Sequence, residues 1–187
     1  MPQDPSHSLR VKLDQALELV MAQRGQVVIP IAAGDTSMVP HLYGADEVLA
    51  VPVVGSPAFG DLLLFRQSDY WVVHRCLGRV ATKDGRTGFR TRGDGRNRLD
   101  PLVIGADVRA RVIALRRAGT WRSLRGTPAR VYAKLMAWHG LFWAAAGVAA
   151  GTIGCAGLVA ALDLALLRIV VPVAFPLFHR RLDDETV

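Results

Sequence analysis

The chain has 187 residues, enough for one domain and an appendage. Its 23 Lys and Arg outweigh 16 Asp and Glu, giving a formal charge of +7, and 51% of its residues are hydrophobic. Such a charge invites a nucleic-acid reading, but its distribution argues against one. Arg109, Arg111, Arg116, Arg117, Arg122, Arg125, Arg130 and Lys134 follow one another without an acid, and the run stops where a long apolar stretch begins. Basic residues beside an apolar segment suit an anionic membrane surface, so lipid is the expected partner and nucleic acid is not. Cys76 and Cys155 form no disulfide framework, and the five histidines have no metal-ligand spacing, so neither metal nor cofactor is expected.

The first eight residues are polar, contain Pro2 and Pro5, and lack the apolar core of a secretory signal. Leu9, Leu13, Ala16, Leu17 and Val20 then recur at helical spacing, with charged residues between them. The spacing predicts an amphipathic helix within residues 1–25, stopped by Gly25 and packed on the domain. It is too short and too charged to cross a bilayer.

From residue 26 to 117 the chain reads as short strands divided by turns: Val27–Ile31, Glu47–Val54, Asp61–Phe65, Trp71–Val80, Gly88–Thr91 and Val108–Leu115. Asp84-Gly85 supplies the positive φ of a hairpin turn. Six strands without intervening helices imply a mainly β, antiparallel domain.

Residues 118–134 read as a basic juxtamembrane segment, 135–178 as membrane-embedded and 179–187 as a polar tail. Leu135–Leu162 contains no Asp, Glu, Lys or Arg. A span needs about 20 such residues, so at least one transmembrane helix fits. Glycines at 147, 151, 154 and 157 have the spacing of a close helix contact. After Asp163 and Arg168 a second apolar stretch, broken by Pro172 and Pro176, reads as a second, broken span or a re-entrant segment, the span making a hairpin. Basic residues before it and His179-Arg-Arg181 after it place both termini, and the β domain, on the cytoplasmic side.

Chemistry is concentrated in three places. Ser37 lies in Gly34-Asp-Thr-Ser-Met-Val-Pro40, just after the first strand; His74 lies in Trp71-Val-Val-His-Arg75; Asp94 and Asp100 lie six apart in the loop that begins at Arg92. A serine hydroxyl needs a base to remove its proton, and the base needs a group that orients it. Serine, imidazole and carboxylate therefore form a candidate hydrolytic set, with either aspartate able to serve. Arg75 is expected to point outward or to pair with one of these carboxylates. Cys76 is read as a buried small residue turned away from the face that His74 uses.

These segments, with Gly44-Ala-Asp-Glu-Val48, Gly60-Asp-Leu-Leu-Leu64 and the closing Ile104–Val112, resemble the signal peptidase family in its serine/histidine subgroup. The likeness covers about residues 30–115. LexA-type self-cleaving repressors are more distant relatives, with a lysine where this chain has His74. The resemblance implies a signal-peptidase/LexA-like β catalytic domain, followed here by a transmembrane helix or hairpin. It makes Ser37 the nucleophile, His74 the general base and Asp100 the carboxylate that orients it, with Asp94 supporting. It also implies that the Ser37 backbone N–H is the first oxyanion donor. A second donor often stands two positions earlier; here that is Asp35, which cannot donate when ionised, so Thr36 is the substitute. The implied substrate is an extended signal or leader peptide with small residues before the cleaved bond. Family members typically carry their membrane anchor ahead of the serine, whereas here the apolar stretch follows it. A non-catalytic membrane adaptor and a LexA-like regulator are the competing readings.

Overall fold

The computed structural model describes residues 5–68, 70–152 and 156–183. Helix α1 (Pro5–Arg24) leads into strands β1 (Val27–Pro30), β2 (Glu47–Pro52), β3 (Leu62–Gln67), β4 (Tyr70–Ala81), β5 (Thr87–Arg92), β6 (Val103–Ile104), β7 (Val108–Arg117) and β8 (Thr120–Ser123). Helices α2 (Thr127–Thr152) and α3 (Ala156–Phe178) follow, and β9 (Arg181–Leu182) returns to pair with β8. All pairings are antiparallel, in the order β1-β2-β7-β3-β4-β5-β6, with β8 and β9 continuing from β7. The mainly antiparallel β architecture is thus as the sequence implies.

The six strands read from the sequence lie within two or three residues of β1, β2, β3, β4, β5 and β7. Strands β6, β8 and β9 were not anticipated, being only two to four residues long. Two of them fall in segments read as a juxtamembrane linker and a polar tail. Trp121 of β8 is buried against Leu49 and Ala114, so an aromatic anchor draws this segment into the sheet. The Asp84-Gly85 turn closes β4 to β5, with Gly85 at φ 76°.

Helix α1 ends as expected, Gly25 N–H donating to Met21 O at 2.9 Å with Gly25 in the left-handed region. Its end packs inward through Leu17 and Met21. Leu9 and Leu13, the glycines at 147–157, Cys155 and residues 184–187 lie outside the described side chains.

The basic run divides in two. Arg109, Arg111, Arg116 and Arg117 belong to β7 and pair with Glu18, Asp61, Glu47 and Asp46 respectively. Half of the run therefore ties the sheet to its own surroundings, Arg122 donates to His179 O, and Arg125, Arg130 and Lys134 are the exposed remainder. These acids precede the run by 50 to 90 residues, so a local charge count misses them.

Helices α2 and α3 pack on each other and on the sheet. Tyr132 and Met136 of α2, with Leu167, Val171 and Phe175 of α3, join the main core that contains Val48, Leu64, Val112 and Leu115. Among the described residues one stretch, Ala161–Phe178, is apolar and long enough to cross a membrane by length and composition.

At the domain end of this packing sits a buried ring cluster. His41 stacks on Tyr132 at 5.6 Å and meets Phe175 edge-on, while His179 stacks on Phe175 at 4.0 Å. Burial, with Arg75 nearby, pushes both imidazoles down from their ordinary value of 6.5, His179 to about 4. An unfolded chain therefore takes up protons that the folded chain refuses as the pH falls below about 6.5. Stability contributed by the neutral rings is present above that pH and drains away towards about 4. The melting temperature is expected to fall between pH 7 and 5; a flat profile there would mean that the rings protonate in place.

Candidate active site

Ser37 is held in a compact turn between β1 and β2. Val39 N–H donates to Thr36 O, and the N–H groups of His41 and Leu42 both donate to Met38 O. Ser37 and Met38 are buried, while Asp35 and Thr36 are exposed. The Ser37 N–H donates to Asp35 Oδ1 at 2.8 Å. Asp35 thus accepts from the very group that the resemblance makes an oxyanion donor, an outcome the sequence reading did not foresee. Asx side chains often capture a backbone N–H two residues on, and that rule was the available signal.

His74 is carried by β4 opposite Leu63 of β3, and its ring meets Phe65 edge-on. Its Nδ1 lies 2.7 Å from Asp100 Oδ2. The same carboxylate oxygen accepts from Thr91 Oγ1 at 2.7 Å, and the Asp100 N–H donates to Thr91 O. An ionised carboxylate only accepts, so Nδ1 carries the proton and Nε2 presents its lone pair. That Nε2 is buried and makes no hydrogen bond. Four other buried side-chain atoms make no hydrogen bond among the described residues, so what sets Nε2 apart is its position beside the serine turn.

Gly93 defines that place. A Cβ built on it would meet Ser37 O at 2.4 Å and His74 Nε2 at 2.9 Å. The Ser37 backbone carbonyl and the open imidazole nitrogen thus both close on Gly93, leaving no room for a side chain between them, and no hydrogen bond joins Ser37 to His74. Gly95, whose N–H donates to Ser37 O at 2.9 Å, is equally confined, since a Cβ there would meet Val39 O and Thr36 O. The sequence pattern Arg92-Gly-Asp-Gly-Arg96 therefore has a packing reason: two positions must lack side chains for the loop to lie against the serine turn.

Asp94, between the two glycines, takes a different role from Asp100. It forms a two-pronged pair with Arg75, Nε to Oδ1 at 2.8 Å and Nη2 to Oδ2 at 2.6 Å, and its N–H points at Met38 Sδ. Arg75 also donates to Gly60 O at 2.9 Å. Burial alone would raise the Asp94 carboxyl, but the Arg75 guanidinium outweighs it and holds the carboxyl below its usual range. Of the two expectations for Arg75, pairing with a carboxylate is what occurs, and the side chain points inward. Breaking a buried pair from one side leaves a charge without compensation, at about 3–5 kcal/mol. Asp94→Asn is accordingly expected to destabilise the fold by that order, read as a drop in denaturant midpoint at unchanged slope. A variant as stable as the parent would remove the pair from the framework.

Cys76 corrects the sequence reading. Residues 74 and 76 are two apart on one strand and so share a face, and both side chains pack against Phe65. The thiol is nonetheless no nucleophile: it is fully buried among Leu63, Phe65, Phe89 and Val103, and burial pushes its pKa up.

Beside Asp35 and Met38 opens a cleft of about 170 Å³, lined otherwise by apolar residues that include Ile29, Ile31, Leu42, Leu64 and Trp71. Strand β1, which supplies one wall, pairs only with β2 and leaves its other edge free. Among the described residues no group of three or more His, Cys, Asp or Glu side chains could hold a metal ion. Comparison of the chain with protein-family models, with curated proteins and with solved structures finds no match.

Proposed function

We propose that the chain is a membrane-associated serine endopeptidase, akin to signal peptidases, that cuts signal or leader peptides by acyl transfer. The observation that carries this reading is the geometry of His74: Nδ1 is fixed by Asp100, and Nε2 is buried, unpaired and against Gly93, on which the serine turn also closes through the Ser37 carbonyl. In the proposed reaction the Ser37 hydroxyl gives its proton to Nε2 as the oxygen attacks the peptide carbonyl. The imidazolium then protonates the leaving amine, and water repeats the sequence on the acyl-enzyme. Asp100 holds the ring and stabilises its charged form.

A peptide in extended form can add to the free edge of β1 and place a small side chain in the 170 Å³ cleft. Its carbonyl then competes with Asp35 for the Ser37 N–H. Because Asp35 is exposed, its carboxylate can turn to water when displaced, so the exchange costs little. Thr36, exposed beside it, remains the candidate for a second oxyanion donor.

A non-catalytic adaptor has no use for an unpaired buried nitrogen beside a serine, and a purely structural module gains by filling or pairing it. The membrane association rests on the apolar α2–α3 hairpin, with anionic lipid as its partner through Arg125, Arg130 and Lys134. The test is to incubate the protein in lipid vesicles with a library of extended peptides and to identify fragments by mass spectrometry. Cleavage after small residues that is blocked by a serine-directed acylating reagent, with the adduct on Ser37, is expected. A library left intact at every peptide would refute the assignment.

A further inference from the structure

Resting on the reading of the chain as membrane-associated, the geometry points to a hairpin that dips into one leaflet and does not cross the bilayer. We infer this from a pin that fixes the two arms. Asp163 Oδ2 of α3 accepts from Arg92 Nη2 of β5 at 2.7 Å, and its other oxygen lies 3.0 Å from His139 Nε2 of α2, close enough for charge attraction but without hydrogen-bond geometry. Arg92 and Asp163 are buried, and Gly140 lies so close that a Cβ there would meet Arg92 Nη1 at 3.0 Å. The pin sets how much of the hairpin belongs to the domain and how much projects from it.

On the domain side of the pin, α3 lies along the protein. Asp163, Leu167, Val171, Phe175 and His179, every fourth residue, are buried. A helix whose one face is held against α2 and the domain core for four turns cannot cross hydrocarbon unless the domain enters with it, even though its other faces are exposed. The stretch Ala161–Phe178, which passes for a span by composition, is this segment, held on one face and open on the others. It also carries Arg168, exposed to the surroundings and close to its midpoint, where a charge is most costly in a bilayer.

Beyond the pin, residues 141–162 contain no Asp, Glu, Lys or Arg. Of these, α2 carries 12 (residues 141–152), roughly 18 Å at 1.5 Å per residue, and α3 carries 7 (residues 156–162), roughly 10 Å. Half of a hydrocarbon core of about 30 Å is roughly 15 Å, so the projecting part matches one leaflet and falls well short of two. Charge placement agrees. Lys134 on α2 and Arg168 on α3 are each five residues to the domain side of the pin and both are exposed, at headgroup height for anionic lipid. Trp138 and Phe142, both largely exposed, occupy the boundary between, where aromatic rings collect. The exposed apolar flank of α3 (Ile169, Val173, Leu177) continues the surface past Arg168, so the hairpin enters obliquely with α3 beneath the domain and Arg168 reaching to the headgroups.

The experiment uses the full chain in sealed membrane vesicles of both orientations and a membrane-impermeant maleimide. Cys155 is replaced by serine, and single cysteines are placed at Thr152 or Ala149 near the middle of the hairpin, or at Asp84 in the β4–β5 turn as a reference. The Asp84 site should label from one face only. The Thr152 and Ala149 sites should label from neither face and become reactive once detergent dissolves the vesicle. Labelling of either from the face opposite Asp84 would establish a crossing hairpin. Labelling from the same face would establish a hairpin outside the bilayer. Either result overturns the inference. The readout needs no cleavage and should be identical in a Ser37→Ala background, so it can fail while the peptidase reading stands, and the reverse.

Discussion

Replacing Ser37 by alanine is expected to lower peptide cleavage by at least about a thousandfold while leaving folding and membrane association intact. The structural grounds for an intact fold are that the serine turn is held by backbone contacts. Gly95 N–H grips Ser37 O, the N–H groups after Met38 close on its carbonyl, and Asp35 accepts the Ser37 N–H. None of these uses the hydroxyl. The grounds for a large loss are chemical: without an oxygen at this position there is no acyl intermediate, and the oxyanion site with bound substrate supplies only a residual rate. Single-turnover cleavage and thermal melting, measured on the same preparation, separate the two. Activity within tenfold of the parent at unchanged melting temperature would remove Ser37 from the mechanism.

Much of the sheet was legible because its strands announce themselves locally. β-Branched and apolar runs such as Val27-Val-Ile and Leu62-Leu-Leu-Phe65, bounded by Gly, Pro and Asp, carry their own boundaries. The three missed strands are short pieces whose state is decided by partners. Arg181–Leu182 has no strand signal of its own and pairs because α3 delivers it beside β8. The tail was legible only in part, for a related reason. Hydropathy records that a helix is apolar, not whether its apolar side meets lipid or protein, and in α3 the fourfold repeat from Asp163 to His179 is buried against protein, chiefly α2 and the ring cluster. Asp163 read as an interruption of a span, whereas it pairs with Arg92, 71 residues earlier. Long-range ion pairs leave no local trace.

The site divides in the same way. The order of Ser37, His74 and the two aspartates could be read from the chain, since each stands at a strand end or in the loop that follows. What could not be read was the division of labour within Arg92–Asp100. Asp94 and Asp100 look alike in the sequence, and only the fold turns one to Arg75 and the other to His74. The steric need for Gly93 and Gly95 likewise depends on the serine turn, 56 residues earlier, being brought against the loop, whereas the capture of the Ser37 N–H by Asp35 is local and had a signal in the chain.

Asp100→Asn is expected to slow cleavage by about ten-thousandfold in a protein that melts close to the parent temperature. The side chains are nearly the same size, and the Asp100 N–H to Thr91 O bond lies in the backbone, so the loop loses little. The chemistry changes because a carboxylate can only accept and an amide can also donate. Asp100 Oδ2 now accepts from both His74 Nδ1 and Thr91 Oγ1. In the variant the amide nitrogen can face the ring, since the Thr91 hydroxyl can donate or accept and does not police the orientation. Nδ1 then becomes the acceptor, the ring proton moves to Nε2, and the lone pair that should take the Ser37 proton is gone. Charge is lost too, so the imidazolium formed during attack is no longer stabilised. Asp94→Asn, which leaves His74 and Asp100 in place, should instead act mainly through stability. Cleavage by the folded fraction, measured well below the melting temperature of each variant, distinguishes the two. A catalytic defect confined to Asp94→Asn, with Asp100→Asn active, would transfer the orienting role to Asp94 and contradict the 2.7 Å contact as the working arrangement.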